Sequence, residues 1–297
     1  MKREYTITSP GYLCLYGDET KDKTLSFFEE LNSISMAKNI KSILMDFSNL
    51  VYISAAAANY LFAIVVYHQV NINNSLYSFK LPKDPKQRQL FADSGLHEAI
   101  KAGGLGKVKR LWRSNNFLCG NNSDVAKLLK VLKKRCGVSP LPEKLSLAIR
   151  ETFLNIHHHA KYPYTSETPL TWFSYFYDSE DDDGRYLTIT VQDLGQGIVE
   201  SIRKAFIEYR DSNDSDCIEH AMTESVTSTH EKGRGKGSYD IHKPLIFNKN
   251  KGNDVLYVMS SKGSYSFEVS EQEEHTNKST NLQHYIRGTL VEWTLYY

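Results

Sequence analysis

The segment that most restricts how this chain folds is Asp193-Leu-Gly-Gln-Gly197, entered straight from Leu187-Thr-Ile-Thr-Val191, which alternates as a half-buried strand does. A strand that runs into such a turn needs bare backbone at its end. A second glycine run, Gly233-Arg-Gly-Lys-Gly237, sets three glycines where only backbone fits against a polyanion, directly ahead of Ser238-Tyr-Asp-Ile241, the first turn of a helix. Upstream of both, Pro142 takes a first helical position. The helix predicted over 142–160 turns Leu145, Ile149, Thr152, Phe153 and Ile156 toward a sheet. Its other face repeats polar groups at four-residue spacing: Glu151, Asn155 and His159. Strands are predicted over 170–177, 186–192, 254–260, 264–269 and 285–296, with Asp181-Asp-Asp-Gly184 as a strong turn between the first two. The second half therefore reads as helices on one face of a largely antiparallel sheet.

These residue types supply what a nucleoside triphosphate requires: a hard oxygen for a metal ion, a carboxylate to take a proton, and amide groups for the phosphates. Each alone has a plainer reading. Glu151 with Asn155 fits a solvated helix face, the Asp193 turn is of a kind found in ordinary loops, and Gly288-Thr289 is a common strand dipeptide. His157-His158-His159 does not form a zinc pair, since consecutive residues point about 100° apart on a helix and zinc pairs sit at i and i+4.

Taken in order, the three segments resemble the N box and the two glycine boxes of the GHKL superfamily of gyrases, heat-shock chaperones, histidine kinases and MutL. The likeness covers a little more than the last half of the chain. It implies a Bergerat-type α/β sandwich with ATP and Mg2+ as cofactors, Glu151 as catalytic base toward water or a protein hydroxyl, and Asn155 as the metal ligand. It implies that Asp193 receives the adenine amino group, a role in which a guanine oxo group would be repelled. Gly195 and Gly197 then leave room for the base, Thr289 closes the pocket, and Gly233, Arg234, Gly235, Lys236 and Gly237 meet the triphosphate. His159 stands at the end of the N box, with Ala160 where glycine is commoner. The polar stretch over 199–232 would be the ATP lid, a segment that orders when nucleotide binds.

The first half alternates strands, over 11–16, 43–47, 51–53 and 76–79, with helices over 24–34, from Ser54 toward Val66, and over 85–94. That rhythm predicts a mixed sheet covered by helices. The run from Ser42 to Ser54, Ser-Ile-Leu-Met-Asp-Phe-Ser-Asn-Leu-Val-Tyr-Ile-Ser, followed by small residues, is similar to STAS domains, the anti-sigma-factor antagonist modules. In that family the loop carries Asp-Ser-Ser-Gly, and one serine accepts phosphate from a partner GHKL kinase. Here Ser54-Ala-Ala-Ala57 stands in its place, so the resemblance implies the fold and a contact role, with Ser54 either a shifted acceptor or a helix cap. The glycines of Lys101-Ala-Gly-Gly-Leu-Gly106, the basic run to Arg113 and the polar Gly120-Asn-Asn-Ser-Asp124 read as a boundary region. A STAS-like domain over 1–110 and an ATPase domain over 111–297 follow. Gly106-Lys107 is not a P-loop, because Lys101 and Val108 stand where a glycine and a Ser or Thr are required.

A chain of 297 residues has room for two cores, and 36 Lys plus Arg against 35 Asp plus Glu leaves no excess to draw nucleic acid or an anionic membrane. Cys14, Cys119, Cys136 and Cys217 form no CxxC pair, which argues against a zinc knuckle or a disulfide framework and fits a reducing cytoplasm. The most apolar stretch, from Ala55 to Val66, contains Asn59 and falls short of the roughly 20 residues that span a bilayer. The expectation is a soluble, cytoplasmic, two-domain, ATP-binding regulatory protein that hydrolyses ATP or passes its phosphoryl group to a protein Ser or Thr. Its partners would be an adenine nucleotide and a protein surface, including contact between its own two domains. The rival is a non-catalytic switch or scaffold whose partner binding is set by ATP. Histidine autokinase is disfavoured, since no upstream coiled-coil helix bears a phosphoacceptor histidine.

Overall fold

A computed structural model describes residues 3–159, 169–223, 237–248, 253–269 and 274–297. The protein is a mixed α/β chain with several sheets, and it divides into two compact units, Met1–Cys119 with Phe173–Tyr175, and Gly120–Trp172 with Phe176–Tyr297.

The first unit begins with β1 (Arg3–Thr8), β2 (Tyr12–Leu13), α1 (Asp18–Met36), β3 (Ile40–Asp46), β4 (Tyr52–Ile53), α2 (Ala55–Asn71) and β5 (Tyr77–Lys80). Strands β1, β3 and β5 form a parallel sheet in that order, with Ile7 beside Met45 and Met45 beside Phe79. Of the strand expected over 11–16, only Tyr12–Leu13 pairs, with Tyr52–Ile53. Strand β1 escapes a sequence reading because Arg3-Glu-Tyr-Thr-Ile-Thr8 has little apolar content and is recruited by the buried Ile43 and Met45 of its neighbour.

Helix α2 is buried from Ala55 to Gln69, as its small and apolar residues on every side dictate. Two of its polar side chains make bonds inside the unit: Asn59 Nδ2 donates to Phe173 O at 3.3 Å, and His68 Nδ1 lies 2.6 Å from the Tyr77 hydroxyl. Ser54 is the cap of this helix. Its hydroxyl accepts from Ala57 N at 3.3 Å, and the residue is 1 % exposed.

Helices α3 (Pro85–Asp93), α4 (Leu96–Ile100) and α5 (Leu105–Ser114) follow, then β6 (Phe117–Gly120). The stretch read as a glycine-rich boundary is thus largely helical: α5 buries Lys107, Val108, Leu111 and Trp112. Lys107 donates to Gln69 Oε1, to Ala99 O at 2.8 Å and to Lys101 O at 2.9 Å, so its ammonium is spent inside the fold, as the rejection of a P-loop requires.

The second unit holds α6 (Val125–Arg135), α7 (Leu145–His159), β7 (Trp172–Asp181) apart from its Phe173–Tyr175, β8 (Gly184–Gln192), α8 (Gly197–Ala205), α9 (Asp214–Met222), α10 (Gly237–Ile246), β9 (Asp254–Val269) and β10 (His275–Tyr296). The strand order is β6-β7-β8-β10-β9, and β10 runs antiparallel to both neighbours. The two strands expected over 254–269 are one, and β10 starts ten residues before the predicted 285, with breaks in register between Asn281 and Thr289. Leu187, Ile189 and Val191 of β8 pair with Leu295, Trp293 and Val291 to make one apolar face. Trp293 Nε1 donates to Ile241 O at 2.9 Å and fixes α10 on that face. Helix α7 packs along α10, with Leu145, Ile149, Thr152, Phe153 and Ile156 buried as their spacing predicts. Among the described residues, no helix is long and apolar enough to cross a membrane.

Candidate functional site

Asp193 directly follows β8 and is 3 % exposed. Its Oδ1 accepts from Gly195 N at 2.7 Å and its Oδ2 from Thr289 N at 3.1 Å, while its own N–H donates to Thr289 O at 3.0 Å. The first bond closes the turn, and the other two tie it to β10. Burial pushes the carboxyl up to about 6, against the pull of the Gly195 and Thr289 amides, the Thr289 hydroxyl and the Arg287 charge. A carboxylate has about four acceptor sites, so two or three protein donors leave capacity for a further N–H.

The turn is held from a second side. Ser260, opposite Thr289 on β9, donates its hydroxyl to Gly288 O at 2.9 Å and accepts from Ile198 N at 2.9 Å. Arg287 Nε donates to Leu194 O at 3.0 Å. Two glycines are obligatory here. Gly197 has φ 81° and Gly288 φ 75°; a Cβ on Gly197 would lie 2.9 Å from Gly288 O, and one on Gly288 would lie 2.6 Å from Asp193 C. Asp193, Gly195, Gly197 and Thr289, four residues singled out from sequence, therefore meet at one junction. Ser260 and Arg287 carry no such signal in the sequence, because only the pairing of β10 with its neighbours β9 and β8 brings them to the turn.

Glu151 lies on α7, half-buried, and Asn155 is exposed one turn further on. Burial and the nearby Asp240 carboxylate raise the Glu151 carboxyl above its ordinary range, and Lys243 opposes them. Asp240 and Lys243 form an ion pair on α10, and the Lys243 ammonium sits 4.9 Å from the centre of the Tyr239 ring. Gly237 is the first residue of α10. Since α7 packs against both α8 and α10, the helix bearing Glu151 and Asn155 adjoins the helices that follow the two glycine segments. Gly233, Arg234, Gly235 and Lys236 lie outside the described residues, as does the side chain of His159, the last residue of α7. Among the described residues, no group of three or more His, Cys, Asp or Glu side chains is placed to hold a metal ion.

Much of the stretch expected as a lid is folded in place. Helices α8 and α9 bury Val199, Ile202, Cys217, Ile218 and Met222. Asp214 accepts from Arg203 Nη2 at 2.8 Å and from Lys262 N at 2.7 Å, which ties α9 to α8 and to β9. The part of the expected lid over 199–223 thus includes two packed helices, and 224–232 lies outside the described residues. Compared with known proteins, the chain matches no family model and no curated protein.

Proposed function

We propose that the protein is an ATP-binding regulator of the GHKL type, with a STAS-like first unit that makes protein contacts. The observation that carries the reading is the Asp193 junction, where a buried acceptor carboxylate, two glycines with positive φ and Thr289 converge at the end of a strand. Asp193 would accept the adenine amino group, and Asn155 would offer Mg2+ one hard oxygen, the usual protein share for an ion held mostly by phosphate and water. ATP supplies an electrophilic terminal phosphate. Glu151, whose carboxyl burial and the Asp240 charge raise above its ordinary range, would take the proton from water or from a partner's Ser or Thr hydroxyl.

Calorimetry of the full chain with ATP, ADP and GTP tests the reading. ATP and ADP should bind and GTP should not, and Asp193→Ala should abolish the heat. Glu151→Gln should keep binding and lose phosphate release or transfer. Absence of heat, or equal heat from GTP, overturns the proposal.

A second reading is a non-catalytic switch or scaffold, favoured by the engagement of both Asp193 oxygens with protein amides, which also suits a purely structural lock. It predicts that Glu151→Gln changes nothing.

A further inference from the structure

Strand β10 runs past its neighbour β8. Their register ends with Leu290 beside Gln192, where the Asp193 turn takes the chain out of the sheet, whereas β10 reaches back to His275 along β9. Among the described residues, no strand pairs with the other edge of β10 over 275–281. His275, Thr276, Asn277, Lys278 and Asn281 are exposed there. An open edge of this kind is a template for another strand, and proteins usually blunt it with charge, proline or a covering element. Here the stretch holds no proline, and its one formal charge is Lys278, which faces the uncharged Ser266 across the β9 ladder.

Alternation settles which side chains share a face. Asn277 stands opposite Phe267, and the His275 ring centre lies 5.3 Å from that of Phe267, so the odd positions take the Phe267 face. Thr276 and Lys278 take the other. In an extended chain Glu274, exposed directly ahead of β10, falls on their side.

The charges along this edge select a second copy of it. Two identical strands that pair antiparallel about a two-fold axis set one residue against itself and match its neighbours symmetrically. An axis at Lys278 would oppose two ammonium groups, and one at Asn277 would leave Glu274 against Thr280. An axis at Thr276 instead sets Glu274 of each copy opposite Lys278 of the other, with the two Thr276 side chains facing each other between them. Opposite charges and Thr–Thr pairs are favourable across strands, and like charges are not.

We infer that the edge of β10 over 275–281 is a homodimer interface, formed by antiparallel strand pairing centred on Thr276 and held in register by reciprocal Glu274–Lys278 ion pairs. Main-chain hydrogen bonds supply the adhesion, and the charges choose the alignment. The inference is independent of the nucleotide reading.

Sedimentation velocity on the full chain, without nucleotide and at low salt, tests it. The wild type should pass from monomer to dimer as its concentration rises. Lys278→Glu and Glu274→Lys should each weaken the dimer about tenfold, since the symmetry turns two attractions into two repulsions. Mixing the two variants should restore association, because a chain with two cations at these positions then meets one with two anions. The double variant Glu274→Lys with Lys278→Glu should dimerise as the wild type does, and either recovery shows that the variants fold. A dimer indifferent to both single changes, or weakened variants that recover neither on mixing nor in the double variant, would overturn the inference. A wild type that stays monomeric at every concentration would overturn it too and leave the edge to a partner of another kind.

Discussion

Gly288→Ala is the substitution whose cost the structure fixes most directly. Gly288 has φ 75°, a left-handed conformation that costs an L residue about 1–2 kcal/mol. The added methyl would lie 2.6 Å from Asp193 C and 2.8 Å from Leu194 Cα, both inside the 3.0 Å that real Cβ atoms respect. Those neighbours are main chain, and they cannot retreat freely. Asp193 is bonded to Thr289 through both its N–H and its Oδ2, and Leu194 O accepts from Arg287. Moving them costs about a further 1–3 kcal/mol, the usual range for overpacking. A total of about 2–5 kcal/mol is expected.

Gly184→Ala supplies the comparison. Gly184 also has positive φ, 123°, but nothing lies within 4 Å of its added methyl, so only the conformational cost of about 1–2 kcal/mol applies. Urea unfolding followed by tryptophan fluorescence measures both, since Trp172 and Trp293 are fully buried in the second unit. A Gly288→Ala loss within about 0.5 kcal/mol of the Gly184→Ala loss would refute the claim that the Asp193 turn is locked against β10.

Two further predictions concern buried charges. Lys107→Met should cost about 3 kcal/mol, because Ala99 O and Gln69 Oε1 lose their ammonium donor inside the fold. Burial pushes that ammonium down to about 7, so the folded chain carries fewer protons than the unfolded one above that point. The contribution of this group to stability therefore rises with pH from about 7 toward 10, and urea titrations across that window should show a smaller rise in Lys107→Met. Asp193 behaves oppositely. Its carboxyl is raised to about 6, so its contribution is fully present below about 3.8 and is lost as pH climbs through 6. Asp193→Asn should flatten the fall in unfolding free energy over that interval, and an unchanged slope would show that the carboxyl does not titrate there.

The parts of this fold legible from sequence are those in which one segment satisfies itself. Helix α7 announces its buried face through Leu145, Ile149, Phe153 and Ile156, each close to a helical turn from the next, and all four are buried. Ser54 caps α2 three residues away, and the Asp181 turn closes on its own Asp183 N–H at 3.0 Å. Helix α5 is different. Gly103, Gly104 and Gly106 make Lys101–Ser114 look like a linker, yet the residue that commits it is Lys107, whose acceptor Gln69 lies 38 positions earlier. No window of local sequence contains both partners.

The candidate site divides along the same line. Asp193, Gly195 and Gly197 close a turn among themselves, and Gly288-Thr289 stands out as a small pair in an apolar strand. Ser260 carries no such mark. It acts only because β9 and β10 pair so that Ser260 faces Thr289, across a strand whose register breaks twice between Asn281 and Thr289. A shift of one residue would turn its hydroxyl to the opposite face and leave Gly288 O and Ile198 N without it. The turn chemistry at this site is thus encoded locally, whereas its attachment to the sheet is encoded in register. Substitutions that shift the register of β10 should therefore damage the junction as severely as changes to Asp193 itself.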